Sequence, residues 1–112
     1  AAIDTLAALP GASWLVLGDM RELGDDAVAL HAQAGTRARE AGIARLYTLG
    51  PLSAAAAEAF GANARHFDTH ESLADALRAD LSADVRVLVK GSRGSAMDRI
   101  VAALLHGTPH AA

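Results

Sequence analysis

Lys90, Ser92 and Arg93 stand on one Gly-rich turn, directly after the apolar run Val87-Leu88-Val89. An ammonium and a guanidinium flanking a hydroxyl suit an anion, and the planar guanidinium can offer a carboxylate two parallel donors. The turn runs through Gly91 and Gly94 into a helical pattern that begins near Ser95. Free backbone N–H groups and the helix dipole at such an N-terminus favour the same negative charge. A carboxylate or phosphate site is the chemistry these residues fit. The plainer alternative is a strand–loop–helix joint carrying two solvated cations.

Two more polar residues fall near the same edge. Asp19 closes the apolar run Trp14-Leu15-Val16-Leu17-Gly18. A carboxylate there binds a ribose hydroxyl or an ammonium, or simply forms the turn after a glycine. His31 occupies the second turn of the helix that follows, so it either reaches the site or packs on that helix's small-residue face. The other histidines carry less. His66 and His70 are four apart but divided by a strand end, which argues against a metal pair, and His106 and His110 belong to the polar tail. No Gly-x-Gly-x-x-Gly follows the first strand and no Gly-x-x-x-x-Gly-Lys-Ser/Thr occurs, so the chain carries neither a dinucleotide fingerprint nor a P-loop.

The elements that must position these residues read as a helix followed by four strand–helix units. Ala1 to Leu9 has a helical pattern closed by Pro10-Gly11. The strand at Trp14 to Leu17 leads through a polar turn, where Asp25 or Asp26 can cap a helix over about Ala27–Ala41. Ala27, His31, Ala34, Gly35 and Ala38 share one face of it. Leu46 to Leu49 is a second strand, and Pro51 opens a helix that ends at Phe60-Gly61. Arg65 to Phe67 is a weak third strand. Asp68 and Glu71 have capping-box spacing ahead of a helix with Leu73, Ala74, Leu77 and Leu81 on its apolar face. Val85 to Val89 is the last strand. Ser95 and Asp98 repeat the cap spacing, and Met97, Ile100, Val101, Leu104 and Leu105 form the stripe of a final amphipathic helix. This alternation predicts an α/β fold: a Rossmann-like, open, mostly parallel sheet of about four strands flanked by helices. Strand order 3-2-1-4 sets the first and fourth strands side by side, with Asp19 and Lys90 flanking the switch point where such sheets bind ligands.

Composition narrows the class. At 112 residues the chain is one domain, and its 52% hydrophobic content is rich in Ala with only four aromatic rings, which suits helices packed closely on a sheet. A net charge of −3 without a basic stripe gives no reason to expect a nucleic-acid partner. The absence of cysteine excludes disulfides and thiolate chemistry. No apolar run approaches the roughly 20 residues of a membrane span.

Val16-Leu17-Gly18-Asp19-Met20 with Glu22-Leu23-Gly24, then His31 and Gly35, then Val89-Lys90-Gly91-Ser92-Arg93 with Met97, resemble the C-terminal domain of the Mur ligases. Within that family they are similar to the branch that adds a D-alanyl-D-alanine dipeptide. The resemblance runs from about Ala1 to Leu105. It implies a cytoplasmic three-domain enzyme of peptidoglycan precursor synthesis. An N-terminal domain would bind the UDP-sugar, and a central domain would hold ATP and magnesium through its P-loop. Such ligases phosphorylate the terminal carboxylate of a UDP-N-acetylmuramoyl-tripeptide, and the amine of D-alanyl-D-alanine then attacks the acyl phosphate. By the same resemblance Lys90, Ser92 and Arg93 are candidates for the dipeptide carboxylate, and Asp19 and His31 for the wall of its pocket.

The family also carries an Asn-Ala-Asn-Pro-type segment and a nearby acid ahead of this domain, which this sequence does not contain. The resemblance therefore implies a domain over residues 1–105 shortened on its N-terminal side, a flexible tail over 106–112, and no turnover by this fragment alone. The competing class is a stand-alone α/β ligand-binding or regulatory module of receiver type. A receiver needs an acidic cluster directly after the first strand, whereas Asp25-Asp26 sits far along the loop and Asp68 is the one acid near the third strand.

Overall fold

A computed structural model describes residues 12–20, 25–81, 85–91 and 98–105. The elements are β1 (Ala12–Gly18), α1 (Ala27–Glu40), β2 (Arg45–Leu49), α2 (Ala54–Phe60), β3 (Ala64–Phe67), α3 (His70–Asp80), β4 (Val85–Lys90) and α4 (Asp98–Leu105). The helix expected over Ala1–Leu9, the cap at Ser95 and the tail over 106–112 lie outside the described residues, as do Met97 and the side chains of Leu104 and Leu105.

All strand pairs are parallel and the order is β3-β2-β1-β4, the arrangement expected from the sequence. Central β1 is covered on both faces, which explains its unbroken apolar run. Leu15 and Leu17 point to one side, with Ala38, Ile43, Leu46, Ala56 and Phe60 around α1 and α2. Trp14 and Val16 point to the other, with Tyr47, Leu49, Leu73, Ala74, Leu77 and Ile100 around α3 and α4. Full burial of one such Leu or Ile contributes about 1.5–3 kcal/mol. The crossovers through α1 and α2 lie on one face of the sheet and the crossover through α3 on the other, so the winding reverses between β1 and β4. That is the topological switch point.

The small face of α1 works as expected: Ala27, His31, Gly35 and Ala38 are buried. A Cβ on Gly35 would stand 2.1 Å from the Ala56 carbonyl oxygen, so only glycine lets α1 and α2 meet this closely.

Three local expectations are corrected. Asp26 holds the N-cap position of α1, but its side chain makes no capping hydrogen bond. The cap of α3 is Thr69, not Asp68: its Oγ1 accepts the Ser72 N–H at 3.1 Å, and the Ser72 hydroxyl donates back to the Thr69 carbonyl at 3.0 Å. Thr69 has the extended backbone a cap requires, and Asp68 is one residue too early to reach the third amide of the helix. On α4, Ile100 is fully buried but Val101 is 38% exposed, so the apolar stripe is narrower than the sequence suggests.

Candidate functional site

The carboxyl edge of the sheet brings together two of the segments singled out in the sequence. β1 and β4 pair in register from Ala12↔Val85 to Leu17↔Lys90, so Gly18-Asp19 and Lys90-Gly91 leave adjacent strands side by side. Side chains alternate along a strand. Lys90 therefore shares a face with Leu88, which packs in the cluster beneath α1 and α2. Met20 packs against that same cluster. Lys90 is half-buried at the end of β4. Ser92 and Arg93 lie outside the described residues.

Asp19 and His31 are both buried, and both are engaged by the fold itself. The Asp19 carboxylate accepts two backbone N–H groups: Ser53 to Oδ1 at 2.8 Å and Leu52 to Oδ2 at 3.1 Å. These amides belong to the turn that starts α2. The Ser53 hydroxyl does not cap that helix; it donates backwards to the carbonyls of Leu49, at 2.8 Å, and Gly50, at 3.2 Å. Asp19 takes over as the cap from a neighbouring strand. The approach needs Gly50, whose φ is +104° and where a Cβ would stand 2.6 Å from the Asp19 carboxylate.

His31 is bound at both ring nitrogens. The Met20 N–H donates to Nε2 at 3.0 Å, so Nε2 accepts and the hydrogen sits on Nδ1, which is 2.6 Å from the Ala27 carbonyl oxygen. The ring ties the first residues after β1 to the first turn of α1.

The described part of this edge has one position closed to a phosphate. The amides at the start of α2, which could cradle a phosphate, are held by a carboxylate that repels one. No group of His, Asp and Glu suited to a metal ion occurs among the described residues.

A second polar cluster, at Arg45, Tyr47, Arg65 and Asp80, went unnoticed in the sequence. The buried Tyr47 donates its hydroxyl to Asp80 Oδ2 at 2.8 Å and receives the Arg45 guanidinium at 3.2 Å. Arg45 and Arg65 both stand 3.4 Å from that carboxylate oxygen. Arg45 also lies over the Trp14 ring and Arg65 over the Phe67 ring. Burial pushes the Tyr47 phenol above its ordinary pKa of 10.0; the Arg45 hydrogen bond opposes this and the Asp80 bond adds to it. The available signal was strand alternation, which sets Arg45 with Tyr47 and Arg65 with Phe67.

Residues 1–93 match the Mur ligase, glutamate ligase domain family, and the chain belongs to the Mur ligases. Several of its relatives share one name. It is 41% identical over 106 residues to the UDP-N-acetylmuramoyl-tripeptide–D-alanyl-D-alanine ligase of Escherichia coli strain K12, covering 93% of this chain and 23% of that protein. It is 34% identical over 102 residues to the protein of the same name in Bacillus subtilis strain 168, covering 85% of this chain and 22% of that one. Among solved structures, a crystal structure of MurF from Acinetobacter baumannii superposes with a TM-score of 0.79 at 25% identity, over 95% of this chain and 25% of that one. MurF from Thermotoga maritima, solved with ADP, shares the fold with a TM-score of 0.77 at 24% identity, over 90% of this chain and 23% of that one. The chain thus spans about a quarter of its relatives' length.

Proposed function

We propose that this chain is the C-terminal domain of an ATP-dependent amide ligase that joins D-alanyl-D-alanine to a UDP-N-acetylmuramoyl-tripeptide. The observation that carries the reading is the 41% identity, over nearly the whole chain, to the Escherichia coli ligase of that name. The sheet edge is consistent with it. Lys90 sits at the switch point between β1 and β4, and Ser92 and Arg93 follow it directly in sequence. In this reading those three take the dipeptide's carboxylate, which has the charge they favour. Asp19 and His31 stand behind the pocket wall.

In this reading ATP and magnesium are bound mainly by the central domain of the full-length enzyme, whose P-loop this sequence does not contain. The present chain contributes recognition of the amino substrate and not the phosphorylation step, so on its own it is inactive. A cytoplasmic location belongs to the same proposal. No helix among the described residues is long and apolar enough to cross a membrane.

The test is phosphate release by the full-length protein given ATP, magnesium and the UDP-muramoyl-tripeptide, with different amines in turn. The expected result is release that requires D-alanyl-D-alanine. Release driven by free D-glutamate instead, or none with any amine, overturns the assignment.

A further inference from the structure

We infer that Asp19 and His31 are positioning residues that lock the segments leaving β1 and β2 into one rigid rim beside Lys90, and that the rim, rather than either side chain, meets the amino substrate. The inference rests on the proposed ligase function, and it assigns these two residues a role that the substrate-recognition reading leaves open.

Three observations carry it. The Asp19 carboxylate spans from the end of β1 to the Leu52 and Ser53 amides beyond β2, a link across 33 and 34 positions of sequence. His31 grips the next residue, Met20, by its backbone, and is anchored through its other nitrogen to Ala27. Consecutive residues are therefore held by different elements, Asp19 by the turn ahead of α2 and Met20 by α1. Both grips are made to main-chain groups, so they fix the path of the chain, whatever side chains it bears. Gly50 removes the Cβ that would push the two segments apart.

The location gives the rim its function. Met20 packs on the α1–α2 side of the sheet, and Lys90, next to Leu17 in the β1–β4 register, falls on that same side. A substrate carboxylate drawn to Lys90 must lie against the chain leaving β1. Both side chains are buried, and the His31 ring, engaged at both nitrogens, would have to release a backbone group in order to serve as a ligand. Preorganisation of a wall beside a charged anchor avoids that cost and favours a rigid support.

The experiment uses the full-length enzyme with His31→Leu, His31→Gln and Asp19→Asn, measuring steady-state constants together with hydrogen exchange resolved to single amides. His31→Leu removes the acceptor for Met20. It should speed exchange at Met20 and raise the dipeptide KM about tenfold, with the ATP KM changed by less than about twofold. His31→Gln restores an acceptor oxygen at the end of the side chain and should recover both Met20 protection and the dipeptide KM. Asp19→Asn keeps one acceptor oxygen and turns the other into a donor, so exchange should quicken at one of Leu52 and Ser53 while the fold persists.

If His31→Gln restores Met20 protection but not the dipeptide KM, the ring itself meets substrate and the inference is wrong. Unchanged Met20 exchange in His31→Leu also overturns it. If the wild-type enzyme does not use the dipeptide at all, the ligase reading fails, while the Met20, Leu52 and Ser53 exchange rates still decide whether the braces exist.

Discussion

Asp19 and Asp80 are the same kind of group put to opposite uses. Asp19 is buried at the carboxyl edge and accepts two neutral backbone amides. Asp80 is half-buried at the end of α3, where it meets a phenol and two guanidiniums that are largely open to water. The Asp80 cluster has more formal charge. The Asp19 cluster has more at stake, because the Ser53 amide it holds is buried, whereas the Arg45 and Arg65 contacts are screened. Burial and the backbone, rather than the count of ion pairs, decide which carboxylate the fold depends on.

The largest effect should come from Asp19→Ala. It leaves two amides of the turn ahead of α2, one buried and one half-buried, without their acceptor, at about 1–3 kcal/mol each. A urea titration should show a loss of about 2–6 kcal/mol, and a loss below about 1 kcal/mol would mean water replaces the carboxylate freely.

Gly50→Ala follows, at about 2–5 kcal/mol. Positive φ costs a residue with a Cβ about 1–2 kcal/mol, and overlap with the Asp19 carboxylate adds strain of about 1–3 kcal/mol. The double variant with Asp19→Ala sharpens the point. Removing the carboxylate removes the overlap, so the two losses should sum to less than their parts. Strict additivity would show that Gly50 serves its turn alone.

Arg65→Ala should cost no more than about 1 kcal/mol, and less in high salt, as expected of an exposed pair. A loss comparable to that of Asp19→Ala would erase the contrast between the two clusters.

Tyr47→Phe removes one hydrogen bond, a comparably small loss of about 0.5–1.5 kcal/mol at neutral pH, and it adds a pH signature. The folded state holds the Tyr47 phenol above its ordinary 10.0. The unfolded chain therefore releases that proton first as pH rises, and the stability tied to the protonated phenol is complete below 10.0 and lost above it. Thermal midpoints of wild type and Tyr47→Phe should converge as pH climbs past 10.0, and a gap that stays constant would contradict this.

The sequence exposed the architecture well, because the apolar runs of β1 and β4 and the small face of α1 are local patterns with one sensible fold. It also placed Asp19 and Lys90 on one edge. It could not show what Asp19 does, since the partner amides at Leu52 and Ser53 are brought near only by the parallel pairing of β1 with β2. Gly50 just before Pro51-Leu52-Ser53 was a readable turn signal, but a turn signal does not reveal that its helix will be capped from another strand. The Tyr47–Asp80 contact joins β2 to α3 across 33 positions and was hidden for the same reason. At α3, Thr69 and Asp68 are both good caps by type, and backbone geometry chose between them.

In the proposed function the edge beside Lys90 receives the amino substrate and not the nucleotide. Steady-state kinetics of the full-length enzyme with Lys90→Met, varying each substrate in turn, tests it most directly. Loss of one charge-assisted contact, about 1.5–3 kcal/mol, should raise the dipeptide KM by roughly ten- to a hundredfold and leave the ATP KM near its original value. A raised ATP KM with an unchanged dipeptide KM would contradict the account.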